Sequence, residues 1–424
     1  MTDSPDHKPS AFPRDRRTIL LYSAVMIAVL AVVSPAVGLF VVPISFLLKN
    51  KLHLSANGLA TFTLWAGLPA YFAFVFGIVR DYWSPLRLGD RGYFIVFGAL
   101  AAALALGFCF LGTPQAALLA YAGAATLIYL FLWGAWNGLS ATIGQRHAMS
   151  GEMSAVWNFV GTIFYATALS CGGVLSGYME TLDTRTALRL LFVLAAALMA
   201  LIAALGFWKP RAVFDGLDAG RVPERRDGLA DAARLFRHRP IYPALLIWCL
   251  WNFSPGGQTV LQYHLADQLH GSDADWGAYN AIFYAASLPA FLIFGFLSTR
   301  LSLGRLLWIG ALCGLPQMTP LLFIHTAHGV LVAAVFVGLL GGIATGAYMD
   351  LLIRACPKGL EGTLMMMAWS LYAISVNFGN LWGTSLYEHY GFDTTVVVTT
   401  IVYALILPLV LLVPKSVTAA KDEG

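Results

Sequence analysis

Twelve long apolar runs, separated by short charged or turn-forming breaks, leave this chain few ways to fold. They span approximately 18–47, 55–79, 93–112, 115–143, 153–178, 187–208, 241–266, 275–299, 304–323, 328–352, 361–387 and 392–413. A helix needs ~20 apolar residues to cross the hydrocarbon of a bilayer, and a barrel strand only about ten. These runs are too long and too uniformly apolar for barrel strands, whereas helices satisfy their own backbone groups and can cross lipid. Only 11% of the 424 residues are charged and 58% are hydrophobic, against about 25% charge in a soluble domain. The reading is an all-α integral membrane protein that leaves no length for a separate soluble domain.

The basic residues orient it. With both termini on one side, the loops and tails of that side hold 22 of the 26 Lys and Arg: four in the N-terminal tail, three between spans two and three, Arg146, eight from Lys209 to Arg239, Arg300, Arg305, Arg354, Lys358, Lys415 and Lys421. The opposite side holds Lys49, Lys51, Arg185 and Arg189. Basic loops stay in the cytoplasm, so both termini are expected there, in a multi-pass protein of the inner (plasma) membrane. No Lys or Arg falls deep in a span. The polar start, MTDSPDHKPSAFPRDRR, lacks an apolar region with a small-residue cleavage site, so the first span is expected to act as an uncleaved signal. The five cysteines show no metal-ligand spacing, and four lie in apolar runs, as packing residues do.

The chain also repeats itself. At an offset of 220, Ser34-Pro35 falls on Ser254-Pro255 and Leu68-Pro69-Ala70 on Leu288-Pro289-Ala290, and seven of the fifteen positions from 66 to 80 are identical. Further on, Arg146 matches Arg354, Glu152 matches Glu361, and Gly173/Gly177 match Gly379/Gly383. The implied plan is a tail (1–17), a six-helix bundle (18–208), a basic linker (209–240), a second six-helix bundle (241–413) and a tail (414–424), the two bundles being pseudo-symmetric. Parallel repeats of this kind place a solute site near mid-bilayer between the halves.

Two stretches, FLLKNKLHLSANGLATFTLWAGLPAYFAFVFGIVRD (46–81) and IRACPKGLEGTLMMMAWSLYAISVNFGNLWG (353–383), resemble the folate–biopterin transporter family of the major facilitator superfamily. The most specific piece is the turn from Cys356 to Thr363. The resemblance implies the major facilitator fold and secondary transport by alternating access, with spans one, four, seven and ten lining a cavity. One position departs: the family commonly has a Lys four residues before the Gly of the second helix's exit motif, and here Ala73 precedes Gly77. Folates carry carboxylates, and no Lys or Arg lies deep in a span to meet them.

On those four spans the candidate solute-binding residues are Ser34, Trp133, Trp136, Asn137, Trp251, Asn252, Gln258, Gln262 and Tyr348. Trp133, Trp136, Asn137 and Ser140 are three or four apart and share a helix stripe. Aromatic faces and amides suit a flat heteroaromatic ring, although Trp also collects at membrane interfaces. Charges at the basic ends, Arg80, Asp81, Arg146, Glu152, Arg300, Asp350, Arg354 and Glu361, recur in both halves and are candidates for a cytoplasmic gate; capping and topology would also put charge there. His264 and Asp267 are the coupling candidates, histidine because it titrates near neutrality. A proton or a sodium ion is the expected coupling ion, and the sequence does not choose between them. Ser-Pro-Gly-Gly at 254–257 and Ser34-Pro35 should break spans seven and one.

The expected partners are a small-molecule solute and the lipid bilayer, with no nucleic acid and no cofactor, in a monomer. Other solutes (drugs, peptidoglycan fragments, acyl-coenzyme esters) and an assembly factor that moves nothing are the alternatives. The motifs HExxH and GxSxG and a phosphate-cradling loop are absent, which argues against a membrane enzyme.

Overall fold

The computed structural model describes residues 13–110, 115–146, 150–214, 237–239, 241–298, 300–355, 361–414 and 417. Among these residues the regular structure is helical. Eight helices are long and apolar enough to span a bilayer by themselves, and a ninth span is the bent pair Ala56–Ala66 and Leu68–Gly77. One of the eight, the stretch Met366–Leu412, is long enough for two spans, and it is divided by Gly391 at φ +80°. Among the described residues, the apolar segments that begin the chain and follow the proposed linker are broken helices, Pro13–Val32 with Val41–Phe46 and Ile241–Asn252 with Gln258–Tyr263.

In chain order the helices are α1 (Pro13–Val32, resumed at Val41–Phe46), α2 (Ala56–Ala66, resumed at Ala73–Tyr82), α3 (Asp90–Phe108), α4 (Gln115–Arg146), α5 (Ser150–Glu180) and α6 (Thr184–Phe207). Then come α7 (Ile241–Asn252, resumed at Gln258–Tyr263), α8 (Asp273–Ser298), α9 (Leu303–Gly314) and α10 (Ala327–Arg354). Helices α11 and α12 are the parts of Glu361–Ala404 before and after Gly391, and α12 extends through Ile406–Leu412. Most of the proposed linker, 215–236, lies outside the described residues, as does the 356–360 part of the specific turn.

Packing repeats with the sequence. In the first half α1 packs on α5, α2 on α4, α3 on α4 and α3 on α6; in the second, α7 packs on α11, α8 on α10, α9 on α10 and α9 on α12. Each pair maps onto its counterpart six helices later. The halves meet along α5 with α8 and along α11 with α2, which are again equivalent seams. Small residues make the close approaches possible, since helices in lipid associate by packing. A Cβ on Gly173 would stand 2.7 Å from the Asp273 carbonyl oxygen, and one on Gly277 would stand 2.7 Å from that of Leu169. The stripe Gly338, Gly342 and Gly346 of α10 lies against α8 in the same way.

Both predicted breaks are present. Pro35 has no N–H to continue α1, and the chain turns so that the Gly38 and Leu39 amides donate to the Ser34 and Val32 carbonyls, each at 2.8 Å. In α7 the amides freed by Ser254-Pro255-Gly256-Gly257 are taken up by neighbouring helices. The Gly256 amide donates to Thr399 Oγ1 (2.8 Å) and the Thr259 amide to Asn380 Oδ1 (3.2 Å). The repeat is imperfect at its other proline. Pro69 sits in a 3-10 turn, Leu68–Phe72, that helps bend α2 by 42°, whereas its counterpart Pro289 lies inside the continuous helix α8.

Each half has its own apolar core. Tyr22, Met26, Tyr93, Leu132 and Trp136 centre one, and Ile247, Trp251, Leu307, Ala344 and Tyr348 the other. We call the end where α1 starts the basic end and its opposite the far end.

Candidate functional site

Aromatic residues meet between the halves, beside the contacts of Gly67 with Asn377 and of Gly77 with Met366. Trp133 of α4 stacks on Tyr129 one turn before it (centroids 5.7 Å apart), touches Trp157 of α5 (4.6 Å), and reaches Trp369 of α11 in the other half (5.9 Å). Trp369 stacks on Tyr372 (5.2 Å). Tyr165 of α5 faces Tyr284 of α8 across the second seam (6.2 Å). Tyr129 itself is buried in the first half's core. Trp157, Tyr165, Tyr284, Trp369 and Tyr372 all remain half-buried. Each packs on another ring across or beside a seam. None of the side chains in this group carries a formal charge at neutral pH. It offers faces for stacking and hydroxyls that both donate and accept.

The sequence-derived candidates divide around this cluster. Trp133 belongs to it, and Ser34 is buried at the α1 break. Trp136 is fully buried in the first core, and its indole N–H has no partner among the described groups. Asn137 and Asn252 turn back on their own helices, donating to the Trp133 and Trp248 carbonyls at 3.0 and 2.8 Å. Trp251 donates to Thr345 Oγ1 (3.0 Å) and packs on Tyr348 and Tyr403 inside the second core. Gln258 is exposed at the α7 break with φ +40°. Gln262 is buried and donates to Ser45 Oγ of α1 (2.9 Å), so it ties the halves together. The structure thus groups Trp157, Tyr165, Tyr284, Trp369 and Tyr372, none of them a sequence-derived candidate, near the candidate Trp133. One signal was available for two of them: Tyr165 and Tyr372 are 207 residues apart, between the offsets of the Glu152/Glu361 and Gly173/Gly379 matches.

At the basic end, Arg80 forms a two-pronged ion pair with Asp90 at the start of α3, Nε to Oδ1 at 2.9 Å and Nη2 to Oδ2 at 3.0 Å. The guanidinium lies over Gly138 of α4, where a Cβ would be 1.8 Å from Cζ. This described partner of Arg80 is in the same half. Asp90 went unremarked in the sequence although it stands in a Gly-Asp-Arg-Gly run after Arg80. Asp350 and Arg354 pair along α10 at 2.8 Å, as their four-residue spacing predicts. Arg300 at the end of α8 lies over the Phe296 ring, 4.0 Å from its centroid. The side chains of Asp81, Arg146, Glu152 and Glu361 lie outside the described residues.

Of the coupling candidates, His264 stacks face to face on Phe392 of α12 (3.9 Å, 4°), and Asp267 forms an ion pair with Lys49 of the other half. The far end carries further cross-half bonds: Ser176 Oγ donates to buried Asp273 (2.6 Å), the Tyr263 hydroxyl to the Leu54 carbonyl (2.6 Å), and the Asn57 amide to Glu388 (2.9 Å). These hydrogen bonds between the halves lie at the far end, together with Gln262 to Ser45.

Residues 151–380, more than half of the chain, match the family described as the Major Facilitator Superfamily. A sequence comparison with curated proteins returns no match. Solved structures of similar fold include a point mutant of the nucleoside transporter NupG (TM-score 0.72, 13% identity, 94% of this chain and 100% of that one). A bacterial homologue of the human lysosomal transporter Spinster, in an inward-facing and unoccupied conformation, aligns with TM-score 0.69 and 15% identity over 95% of this chain and 98% of its own. A D-xylose–proton symporter aligns with TM-score 0.67 and 12% identity over 96% and 99%.

Proposed function

Since this chain belongs to the Major Facilitator Superfamily, and so is a multi-pass membrane transporter and not an enzyme, we propose that it moves a small, flat organic solute by alternating access between the halves 18–208 and 241–413. The observation that carries the solute class is the ring of Tyr129, Trp133, Trp157, Tyr165, Tyr284, Trp369 and Tyr372, contributed by both halves. Stacking surfaces with hydroxyls around them favour a heteroaromatic ring that carries its own donors and acceptors. Without a formal charge in the ring, the solute bound there is best neutral, because an isolated charge in a low-dielectric site is expensive. A pterin ring fits that description, in line with the resemblance to folate–biopterin transporters; a folate dianion fits it poorly. Orientation follows the basic residues: the basic end and both termini face the cytoplasm of an inner (plasma) membrane protein acting as a monomer. The ends of α2, α4, α8 and α10, with Arg80, Asp81, Arg146, Glu152, Arg300, Asp350, Arg354 and Glu361, form the cytoplasmic gate. A proton or a sodium ion is the coupling ion, with Asp267 and His264 as its candidate residues on the far-side approach.

The test is a thermal-shift screen of purified protein against pterins, folates, nucleobases and organic anions, followed by uptake of the hits into proteoliposomes. A ligand that binds only the folded form raises apparent stability. Neutral heteroaromatics should shift the melt and be taken up. Shifts confined to dianions, or binding without uptake, would reject the solute class or the transport step respectively.

A further inference from the structure

The far end of the bundle contains a matched pair of irregular turns. The last turn of α1, Leu47–Lys51, is a π-helical turn, and so is the turn after α7, His264–Gln268. Each closes with the same pattern: the Leu52 amide donates to the Leu47 carbonyl and the Leu269 amide to that of His264, then Leu54 to Leu48 and Gly271 to Leu265. Each is followed by a histidine in the left-handed region, His53 at φ 53° and His270 at φ 54°. Next comes a serine that starts the following helix: Ser55 Oγ accepts the Gly58 amide and Ser272 Oγ that of Asp275. The repeat Leu-His-x-Ser, at 52–55 and 269–272, therefore encodes one device in each half.

The two devices touch each other. Lys49, in the middle of the first turn, pairs with Asp267 in the second and also stands over the Tyr263 ring, 4.9 Å from its centroid. Tyr263 in turn donates to the Leu54 carbonyl of the other half. Beside them a cavity of about 450 Å³, lined in part by Lys49, Asn50, Glu180 and Asp273, lies along the same seam. Below them the halves are packed shut: Val42 of α1 is fully buried in the core of the second half. A π-turn holds one residue more than an α-turn and is a recurrent feature of functional sites. Regaining α geometry would rotate Lys49 and Asp267 relative to each other by the ~100° that one residue spans.

We propose that the paired π-turns are the latch that closes the far end of the transport route, with Lys49–Asp267 as its releasable bond. The proposal rests on the alternating-access reading and assigns that motion a specific lock. The test needs no solute, so its failure is distinguishable from failure of the transport reading. Val42→Cys is introduced into a chain whose five cysteines are replaced by serine or alanine, and maleimide labelling of the purified protein is timed. Lys49→Ala and Asp267→Ala should each speed labelling by about three- to fivefold, the population shift one partly exposed ion pair provides. The charge swap, Lys49→Asp with Asp267→Lys, should restore slow labelling. Unchanged labelling in either single variant, or a swap that labels as fast as the singles, would overturn the latch.

Discussion

Gly138→Ala is the smallest change that should disturb the basic end, and its size follows from the geometry. The new methyl would sit 1.8 Å from the Arg80 guanidinium carbon and closer than 2.5 Å to two of its nitrogens. Non-bonded carbon atoms settle at ~3.5–4 Å, so the guanidinium must move by more than separates a good hydrogen bond from a lost one. Both bonds to Asp90 go with it, in a place where the Arg80 and Asp90 side chains are only 14% and 6% exposed. Leaving a nearly buried charge without its partner costs about 3–5 kcal/mol. Hydrogen bonds that Arg80 regains elsewhere reduce this, so a loss of about 2–3 kcal/mol is expected. The assay is thermal unfolding of the purified protein for Gly138→Ala, Asp90→Asn and the double variant. Both single changes remove the same contact, so the double should be little worse than the worse single. A Gly138→Ala protein that melts with the parent, or penalties that add in full, would refute the reasoning.

Other consequences can be measured separately. Trp133→Ala should weaken solute binding by about three- to tenfold, with Trp133→Phe close to the parent, if ring stacking is what the side chain supplies; calorimetry with a screened ligand reads this directly. Asp350→Ala strips Arg354 of its partner in α10 and should lower turnover in proteoliposomes more than the amount of protein in the membrane. Asp183 accepts hydrogen bonds from Thr186 at the start of α6, and these hold its carboxyl below the usual range. A depressed carboxyl stabilises the fold above its unfolded pKa and loses that effect as the pH falls through the folded one. Asp183→Ala should therefore lower the melting temperature at neutral pH, with the gap to the parent closing below the ordinary aspartate range.

Much of the architecture was legible because the bilayer enforces it. Runs of ~20 apolar residues admit one spanning geometry, and the duplication announced itself where proline and arginine interrupt it. The breaks at Ser34-Pro35 and Ser254-Pro255 follow from chemistry local to each proline. The different behaviour of Pro69 and Pro289 does not, because what decides between a bent and a continuous helix is what packs around it. The site was half legible for a related reason. Periodicity puts Trp133 and Trp136 on one stripe, but in a 3.6-residue helix they still lie about 60° apart around the axis. Both are buried in the same core, and that angle is enough to bring Trp133 alone of the two into ring contact with Trp369 of the other half. Trp369 and Tyr284 enter the site only through contact between halves, which no local pattern records. The far-end turns carried a readable signal in Leu-His-x-Ser; its shift from the 220 offset to 217 placed it off the diagonal that the prolines define.

The most direct test of two halves that open in turn is a paired distance measurement. Spin labels at His53 and His389 report on the far end, and labels at Leu86 and Arg300 on the basic end; all four positions are exposed. With a solute from the screen added, the populations of the two pairs should shift in opposite directions, one distance lengthening as the other shortens. Distances that lengthen together, or stay fixed at saturating solute, would contradict alternating access between the halves.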